Sequence, residues 1–385
     1  MRRILFVSNG HGESAIAERI ARELRAPAGE PVGLDHLALV GEPPPGEALT
    51  LVGPRRALPS GGLVAMGNVR AFAGDLRAGF AGLFAEQIGF LRREAVRYDC
   101  VAAVGDVYAL ALALTGGRRT VFVGTAKSVY VAPYGPFERR LLRRAARIFV
   151  RDEATAFDLR VDGVRAEAPG NVIVDLVDGA PPPAGEFAEG AWLGLLPGSR
   201  ETAYADALRL ARMVEALAVR RGGARALLSL APGLAPARFA DALGEAGWTL
   251  SAGDGAAAAF RAKTGGAEIV GWRGALGTLL QAAVLVAGQA GTANEQAAAL
   301  GKPVVALDAE TVRRRSGPGE VWYRMRQRRL LGDALALIPP HPAAAAERID
   351  ALLDDAPALA RMRAAGLERM GPPGGARAIA AAVTA

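Results

Sequence analysis

Residues 192–201 read Trp-Leu-Gly-Leu-Leu-Pro-Gly-Ser-Arg-Glu, and this stretch decides the fold. The apolar run Trp192–Leu196 predicts a buried strand, and Pro197–Arg200 predicts a turn directly after it. A helical pattern from Tyr204 to Arg220 comes next. A buried strand that leads through a glycine turn into a helix is typical of α/β proteins with a parallel sheet.

The same unit recurs along the chain. In the first half, the apolar run Ile4–Val7 leads into the glycine-containing turn Ser8–Glu13 and then into the helical run Ala15–Leu24. Other short apolar runs also predict strands, namely Val101–Val104, Val121–Val123, Ala226–Leu230, Val284–Ala287 and Pro303–Leu307. Strands of this kind alternating with helices indicate parallel sheets covered on both faces.

The length of 385 residues allows two cores, and the proline-rich segment Pro181–Gly185 separates two runs of the pattern. We therefore predict one Rossmann-like domain over residues 1–180 and a second over residues 187–368. Hydrophobic residues make up 51% of the chain and charged residues 22%, which favours a folded globular protein.

The formal charge of +7 is a property of the whole sequence rather than of a local surface. Of 46 basic residues only Lys127, Lys263 and Lys302 are lysines, and the arginines are spread along the chain and rarely alternate with aromatic residues. This distribution indicates a coding bias, so we expect no nucleic-acid partner.

Cys100 is the single cysteine, which excludes an intramolecular disulfide. The first apolar run, Ile4–Val7, is too short for a signal peptide, and no run approaches the roughly 20 residues of a membrane span. The sequence therefore predicts a cytoplasmic protein.

Two segments leave contact with a membrane open. Phe72–Leu91 has apolar residues at three- and four-residue spacing, which predicts a helix packed on its own domain or one facing a membrane or a lipid-bearing acceptor. Glu138–Arg147 is rich in arginine, which predicts either a solvated face or a surface for anionic lipid headgroups. Localisation at the inner face of the cell membrane follows from the second alternative in each case.

Two turns in the second half are candidates for binding an anion. Gly198, Ser199 and Arg200 follow a strand, so that free backbone N–H groups and one guanidinium face outward. The second turn lies between a strand and a helix, and its candidate residues are Gly288, Gly291, Thr292, Ala293, Asn294 and Glu295. Its glycines allow a diphosphate to approach the helix start, and Glu295 is either a partner for ribose hydroxyls or an acid stabilised by the helix dipole.

The first half carries two acids after predicted strands, Glu13 in Gly10–Ser14 and Asp106 after Gly105. Ligands of open α/β sheets bind beyond the carboxyl ends of the strands, so both acids are expected to face one cleft. Asp106 has a second interpretation as the N-cap of the following helix.

These residues carry a resemblance. Leu195–Arg200, Gly291–Glu295 and Ser8–Glu13 resemble the corresponding motifs of lipid-A-disaccharide synthase and its related proteins, which are GT-B glycosyltransferases. The resemblance implies two Rossmann-like domains facing a central cleft. It also implies that a closing helix, about residues 370–385, returns to the first domain.

The implied activity is inverting transfer of an N-acetylglucosamine or glucose type of sugar from a UDP donor to a hydroxyl of a lipid or sugar-lipid acceptor, without a cofactor or an obligatory metal. A base must take the acceptor proton, and we expect Asp106 first, Glu13 second and His11 third. For His11, a loop or core role is the alternative. Arg200 and the helix starts at Ser199 and Gly291 would stabilise the leaving diphosphate.

Gly271 and Trp272 lie where similar enzymes form the uracil pocket from backbone groups, although the Trp272 ring also fits a core position. The first half departs from the synthase pattern in three places, Gly12–Ile16, Val104–Tyr108 and Gly170–Val172. The chain therefore resembles a divergent branch of that group, and the acceptor half departs furthest.

Three other functions stay open. A UDP-sugar 2-epimerase would need further acid and base groups, and the small number of histidines (His11, His36 and His341) argues mildly against it. A non-catalytic nucleotide-sugar-binding protein would bind UDP without turnover. A membrane-surface scaffold would bind lipid without needing Arg200. The sequence does not predict the oligomeric state.

Overall fold

The computed structural model describes residues 2–25, 31–40, 46–56, 79–308 and 318–385. The chain divides into two compact units, Met1–Leu176 with Gly371–Ala385 and Val177–Met370. The proline-rich segment belongs to the second unit, because the Thr278 hydroxyl donates to the Pro181 carbonyl (2.6 Å) and Gln281 Nε2 donates to the Ala180 carbonyl (3.1 Å).

The first unit is built on a seven-stranded sheet in the order β3-β2-β1-β4-β5-β6-β7, with parallel pairing throughout. Its strands are β1 (Arg2–Ser8), β2 (Val32–Ala38), β3 (Thr50–Leu51), β4 (Cys100–Gly105), β5 (Thr120–Gly124), β6 (Arg147–Val150) and β7 (Ala166–Glu167). Its helices are α1 (His11–Arg25), α2 (Phe80–Glu94), α3 (Val107–Leu114), α4 (Pro136–Leu142), α5 (Glu153–Val161), α6 (Val172–Asp175) and, from the end of the chain, α14 (Gly375–Thr384).

The second unit has an eight-stranded sheet in the order β10-β11-β12-β9-β8-β13-β14-β15. Its strands are β8 (Trp192–Leu196), β9 (Ala224–Ser229), β10 (Thr249–Ala252), β11 (Ala258–Thr264), β12 (Ala267–Trp272), β13 (Ala283–Gly288), β14 (Val304–Leu307) and β15 (Leu335–Ile338). Its helices are α7 (Ala203–Arg221), α8 (Pro236–Glu245), α9 (Leu276–Ala282), α10 (Thr292–Ala299), α11 (Pro318–Leu331), α12 (Pro342–Asp354) and α13 (Ala356–Met370). Among these described strands, the antiparallel pairs are β10 with β11 and β11 with β12.

The apolar runs of the sequence form the buried strands, and the prediction of an α/β protein with parallel sheets is confirmed. In the first unit, one core packs α2, α3 and α5 on one face of the sheet, and a second core packs α1 and α14 on the other. Asp175 helps to hold α14 there, because its carboxylate accepts from the backbone N–H groups of Gly374 and Ala376.

Each sheet reverses its strand order beside its first strand. In the first unit β1 lies between β2 and β4, and in the second β8 lies between β9 and β13. The chain winds outward in opposite directions from these strands, so a crevice opens beyond the carboxyl ends of β1 and β4 and of β8 and β13. The strand orders therefore place one candidate ligand-binding edge in each unit.

The two segments that left membrane contact open have different structures. Residues 72–78 of the predicted Phe72–Leu91 helix lie outside the described residues, and the rest forms α2, with Leu83 and Leu91 buried and Phe84 37% exposed. Of the basic segment Glu138–Arg147, residues 138–142 lie in the short helix α4, and Arg147 begins β6. Arg139 pairs there with Asp158 and Asp162. Within the described ranges, no helix combines the length and hydropathy needed to span a bilayer.

Candidate functional site

Glu13 lies over the backbone at the carboxyl ends of β1 and β4. Gly10 and Gly105 follow or end these strands and have φ angles of +121° and +125°, which glycine adopts readily. A Cβ on Gly10 would lie 2.7 Å from Glu13 Oε2, and one on Gly105 would lie 2.8 Å from Glu13 Cγ. The Glu13 side chain therefore fills the space that the two glycines leave.

The environment of Glu13 favours its protonated form. The pKa of this carboxyl is raised to about 7, mainly because the group is buried; a hydrogen bond from its own backbone N–H opposes this rise, and the nearby Asp106 charge adds to it. A carboxyl group with a pKa near neutrality can accept or donate a proton at the pH of a cell. Glu13 is thus suited to general acid–base chemistry.

Asp106 lies at the same edge but is engaged by its own helix. One carboxylate oxygen accepts from the backbone N–H groups of Tyr108 and Ala109, both at 3.1 Å, so that Asp106 is the N-cap of α3. The other oxygen accepts from Asn9 Nδ2 at 3.1 Å. The N-cap interpretation of Asp106 is therefore observed, and Asn9 is a partner that the motif analysis missed.

His11 begins α1 at this edge, and its side chain lies outside the part of the molecule that the structure describes. Three other polar residues beside the loop, Ser8, Ser14 and His36, are buried and hydrogen-bonded to one another. These three residues were not predicted to belong to the site, although polar residues at the end of an apolar strand are a usable signal.

The corresponding edge of the second unit consists of two loops joined through one carbonyl. The backbone N–H groups of Gln289 and Ala290 donate to the Leu196 carbonyl at 2.8 and 3.1 Å, which ties the loop after β13 to the end of β8. Ser199 and Arg200 are exposed. Gly198 has a φ of +113°, and no described atom lies within 4 Å of a Cβ placed on it.

Asn294 supports the loop rather than facing a ligand. Its side chain is 0% exposed, and Nδ2 donates to the Gly288 carbonyl at 3.1 Å and to Gln327 Oε1 at 3.2 Å. Gln327 Nε2 in turn donates to the carbonyls of Ala290 and Gly291, at 2.9 and 3.1 Å. The two buried amides thus fix the shape of the loop from below.

The helix start beyond this loop carries the remaining candidates. Gly291 is the N-cap of α10, and Thr292, Ala293 and Glu295 lie in the first turn of that helix. The first N–H groups of a helix have no partner within the helix, and the dipole adds positive charge there. Glu295 is buried in this turn. This arrangement is suited to binding an anion.

Gly271 and Trp272 lie in β12, two strands from β8 in the sheet. The Trp272 ring is buried, its Nε1 donates to the Ala275 carbonyl at 3.1 Å, and it packs edge-on against Phe187. The core interpretation of this ring is therefore observed. Gly271 lies against the Phe260 ring, which leaves no room for a larger residue there.

The structure thus brings Glu13 and Asp106 together at the edge of the first sheet. It brings Gly198–Arg200 and Gly288–Glu295 to neighbouring strands at the edge of the second. Within the described ranges, no three His, Cys, Asp or Glu side chains are grouped so that they could hold a metal ion.

No family model and no curated protein match the chain. Several solved structures do. A putative UDP-N-acetylglucosamine 2-epimerase from Listeria monocytogenes is 13% identical, with a TM-score of 0.58 over 99% of this chain and 94% of that one. A UDP-GlcNAc 2-epimerase from Neisseria meningitidis, solved with UDP-GlcNAc, is 14% identical, with a TM-score of 0.56 over 99% of both chains.

MurG from Acinetobacter baumannii is 14% identical, with a TM-score of 0.55 over 100% of this chain and 99% of that one. These likenesses run the length of each chain, and at such low identity they show the fold and nothing finer. The architecture shared by these proteins is GT-B, which agrees with the fold expected from the sequence resemblance. The chain therefore has the GT-B fold.

Proposed function

We propose that the protein is a UDP-sugar-dependent GT-B enzyme that transfers the sugar to a hydroxyl group of an acceptor with inversion. One observation carries the proposal: a carboxyl group with its pKa raised to about 7, Glu13, lies at the point where the first sheet reverses its strand order. The GT-B neighbours, one of them solved with UDP-GlcNAc, support a nucleotide-sugar donor.

In the proposed reaction, the ionised Glu13 carboxylate accepts the proton of the acceptor hydroxyl as its oxygen attacks the anomeric carbon. The bond between that carbon and the diphosphate oxygen breaks, and UDP leaves with the bonding electron pair. The guanidinium of Arg200 and the backbone N–H groups at Ser199 and Gly291–Thr292 stabilise the developing charge. We assign Asp106 a structural role, because its carboxylate already accepts hydrogen bonds from two backbone N–H groups at the start of α3 and from the Asn9 side chain.

We propose that the first unit selects the acceptor, the second holds the donor, and the acceptor is lipid-linked and met at the inner face of the membrane. The aromatic rings of Phe80, Phe84 and Tyr108 support this. Their ring centroids lie 6.1 to 6.5 Å apart, and Phe84 is partly exposed. Tyr108 comes two residues after Asp106 in the chain. Such a surface suits an acceptor with an apolar part.

The proposal is tested by thermal-shift measurements with UDP, UDP-glucose, UDP-N-acetylglucosamine and GDP-sugars, followed by assays of UDP release with hydroxyl acceptors. We expect stabilisation by uridine nucleotides and acceptor-dependent UDP release. No stabilisation by any uridine nucleotide would contradict the proposal. Binding of UDP without UDP release for any acceptor would favour a non-catalytic binding protein.

A UDP-sugar 2-epimerase is the second candidate, because structural neighbours with that activity in their names match the whole chain. Epimerisation at the second carbon removes and returns the proton on that carbon, whereas transfer leaves it in place. Incubating UDP-N-acetylglucosamine in D2O separates the two reactions. Deuterium at the second carbon would establish the epimerase, and its absence alongside acceptor-dependent UDP release would establish the transferase.

A further inference from the structure

A chain of hydrogen bonds runs beneath the loop that carries Glu13. His36 Nε2 lies 2.8 Å from Ser8 Oγ, Ser8 Oγ lies 3.0 Å from Ser14 Oγ, and Ser14 Oγ donates to the Gly10 carbonyl at 2.8 Å. Ser8, Ser14 and His36 are 0%, 3% and 2% exposed. The chain links three elements of the first unit, since Ser8 ends β1, Ser14 lies in α1 and His36 lies in β2.

The chemistry of these groups fixes the direction of every bond in the chain. A carbonyl oxygen can only accept, so the single proton of the Ser14 hydroxyl goes to Gly10. The contact between Ser14 and Ser8 therefore uses the single proton of Ser8. Ser8 then has no proton left for His36, so the contact between them must be donated by His36 Nε2–H.

The charge state of His36 is consistent with this direction. Burial lowers the pKa of the imidazole to about 4, and the nearby Glu18 carboxylate raises it only in part. At neutral pH His36 is therefore uncharged and carries one ring proton. The hydrogen-bond chain assigns that proton to Nε2.

The far end of the chain of hydrogen bonds is the Gly10 carbonyl, and Gly10 lies next to the Glu13 side chain. Gly10 accepts two hydrogen bonds from Ser14, one from the hydroxyl and one from the backbone N–H at 3.0 Å. Gly10 also lies directly beneath the Glu13 carboxylate, which occupies the space of the absent Cβ. A shift of Gly10 would therefore move the carboxylate that lies on it.

We infer that His36 is a positioning residue whose Nε2–H, acting through Ser8 and Ser14, holds Gly10 and thereby sets the position of the Glu13 carboxylate. The hydrogen-bond direction stands on geometry alone. The consequence for turnover rests on the proposed function, in which Glu13 is the base. His36 itself touches neither the reacting atoms nor Glu13 in this assignment.

The first experiment does not depend on activity. The chain has three histidines, so selective ¹⁵N-histidine labelling gives a simple spectrum, in which the His36 signals are identified by their loss in His36→Gln. We expect His36 as the neutral Nε2–H tautomer from pH 8 down to about pH 5, where an ordinary histidine with a pKa of about 6.5 is already largely charged. A neutral Nδ1–H tautomer, or titration near the ordinary value, would overturn the inference.

The second experiment breaks the chain at either end. Ser14→Ala removes the donor to Gly10 and frees the Ser8 proton to turn towards His36, so we expect the single tautomer to be lost. His36→Gln keeps an N–H near the position of Nε2, whereas His36→Leu removes it. Breaking the chain of hydrogen bonds should displace the Glu13 carboxylate. We therefore expect kcat to fall by about tenfold to a hundredfold in Ser14→Ala and His36→Leu, and far less in His36→Gln.

A role in positioning also predicts which constants stay fixed. In Ser14→Ala the KM for the nucleotide sugar should stay unchanged, whereas the apparent pKa of the pH–rate profile should shift. Ser128→Ala is the matched control, because this buried serine accepts only from Tyr130 N–H among its described side-chain contacts. Equal loss of kcat in Ser128→Ala, or equal loss in His36→Gln and His36→Leu, would contradict the role. If the parent shows no turnover, the proposed function fails and the tautomer measurement still decides the hydrogen-bond direction.

Discussion

The carboxyl edges of the two sheets share a topology and differ in chemistry. In the first unit only Asn9 and Gly10 separate β1 from α1, and the Glu13 side chain lies on the glycine. In the second unit six residues, 197–202, separate β8 from α7, and the surroundings of Gly198 are open. A tight loop places a carboxyl group where water is scarce, whereas a wide loop leaves space for a ligand.

The helix starts differ in the same sense. At the first edge the side chain of Asp106 caps α3 with two hydrogen bonds. At the second edge the N-cap of α10 is Gly291, which has no side chain to cap the helix, and Arg200 is exposed on the neighbouring loop. Under the proposed function, the same strand order therefore provides a proton-transfer site in one unit and an anion site in the other, depending on loop length and on what caps the helices.

The largest expected effect separates the two edges by activity. Glu13→Gln keeps the shape of the side chain and removes the base, so kcat should fall by about 10²–10⁴-fold, the usual contribution of general base catalysis. Affinity for UDP should stay unchanged. The measurements are steady-state kinetics and calorimetric titration with UDP. Glu86→Gln, an exposed acid on α2, is the matched control.

In the parent, the same carboxyl predicts a rate that rises with pH through about 7, because only the ionised form accepts a proton. This limb of the pH–rate profile should disappear in Glu13→Gln. If Asp106→Asn removes this rise of the rate with pH and Glu13→Gln leaves it, Asp106 rather than Glu13 is the base.

The next effect concerns the second edge. Arg200→Ala should weaken UDP binding by about 10- to 150-fold, since a hydrogen bond to a charged group contributes about 1.5–3 kcal/mol. The melting temperature without ligand should change little, because Arg200 is exposed. Arg212→Ala, an exposed arginine on α7, is the control. Equal affinity of the two variants for UDP would exclude Arg200 from the site.

Much of this comparison was predictable from sequence, and the reasons are local. Apolar runs followed by glycine turns predicted where the strands end. Because parallel strands end at the same edge of a sheet, they also predicted that the candidate loops of each half lie at one edge. Asp106 comes after a predicted strand and directly before α3, and an acid at such a position is a readable N-cap signal. The parallel sheets and the turns at Pro197–Arg200 and Gly288–Gly291 were predicted in this way.

The rest depends on contacts between distant residues. Ser8 and His36 are 28 positions apart, and their contact follows from the pairing of β1 with β2, which no local pattern specifies. In the sequence, Asn294 belongs to a predicted ligand-binding motif. In the structure it is buried and donates a hydrogen bond to Gln327, which is 33 positions away. The raised pKa of Glu13 likewise needs β4 beside it, since burial there is its main cause.

A smaller effect tests how rigidly the second edge is supported. A Cβ on Gly288 would overlap Asn294 Oδ1, and Asn294 is held by Gln327, so Gly288→Ala should destabilise the protein by about 1–3 kcal/mol. Gly12→Ala at the first edge is the matched substitution. Gly12 lies in α1 with no described atom within 4 Å of the added Cβ, so no loss is expected. Urea denaturation measures both, and an equal loss would contradict this contrast.

The smallest effect is a gain in stability. The folded-state pKa of Glu13 is raised from 4.5 to about 7, so folding favours its protonated form. That contribution is fully present below the unfolded value and is lost as pH rises through about 7. Glu13→Gln stays neutral at every pH. It should therefore match the parent near pH 4.5 and exceed it at pH 8 by about 1–2 kcal/mol in the free energy of unfolding.

The histidine at the same edge has the opposite dependence and does not obscure this difference. The pKa of His36 is lowered to about 4, so its contribution is present above about 6.5 and is lost as pH falls through 4. His36 is common to the parent and Glu13→Gln, so subtracting their urea curves at each pH isolates Glu13. A difference that stays constant with pH, or a variant less stable than the parent at pH 8, would show that the carboxyl group is not held in a site that disfavours its charge. A gain that grows as the pH rises from about 4.5 to about 7 and then levels off would show that folding destabilises the ionised form of the Glu13 carboxyl.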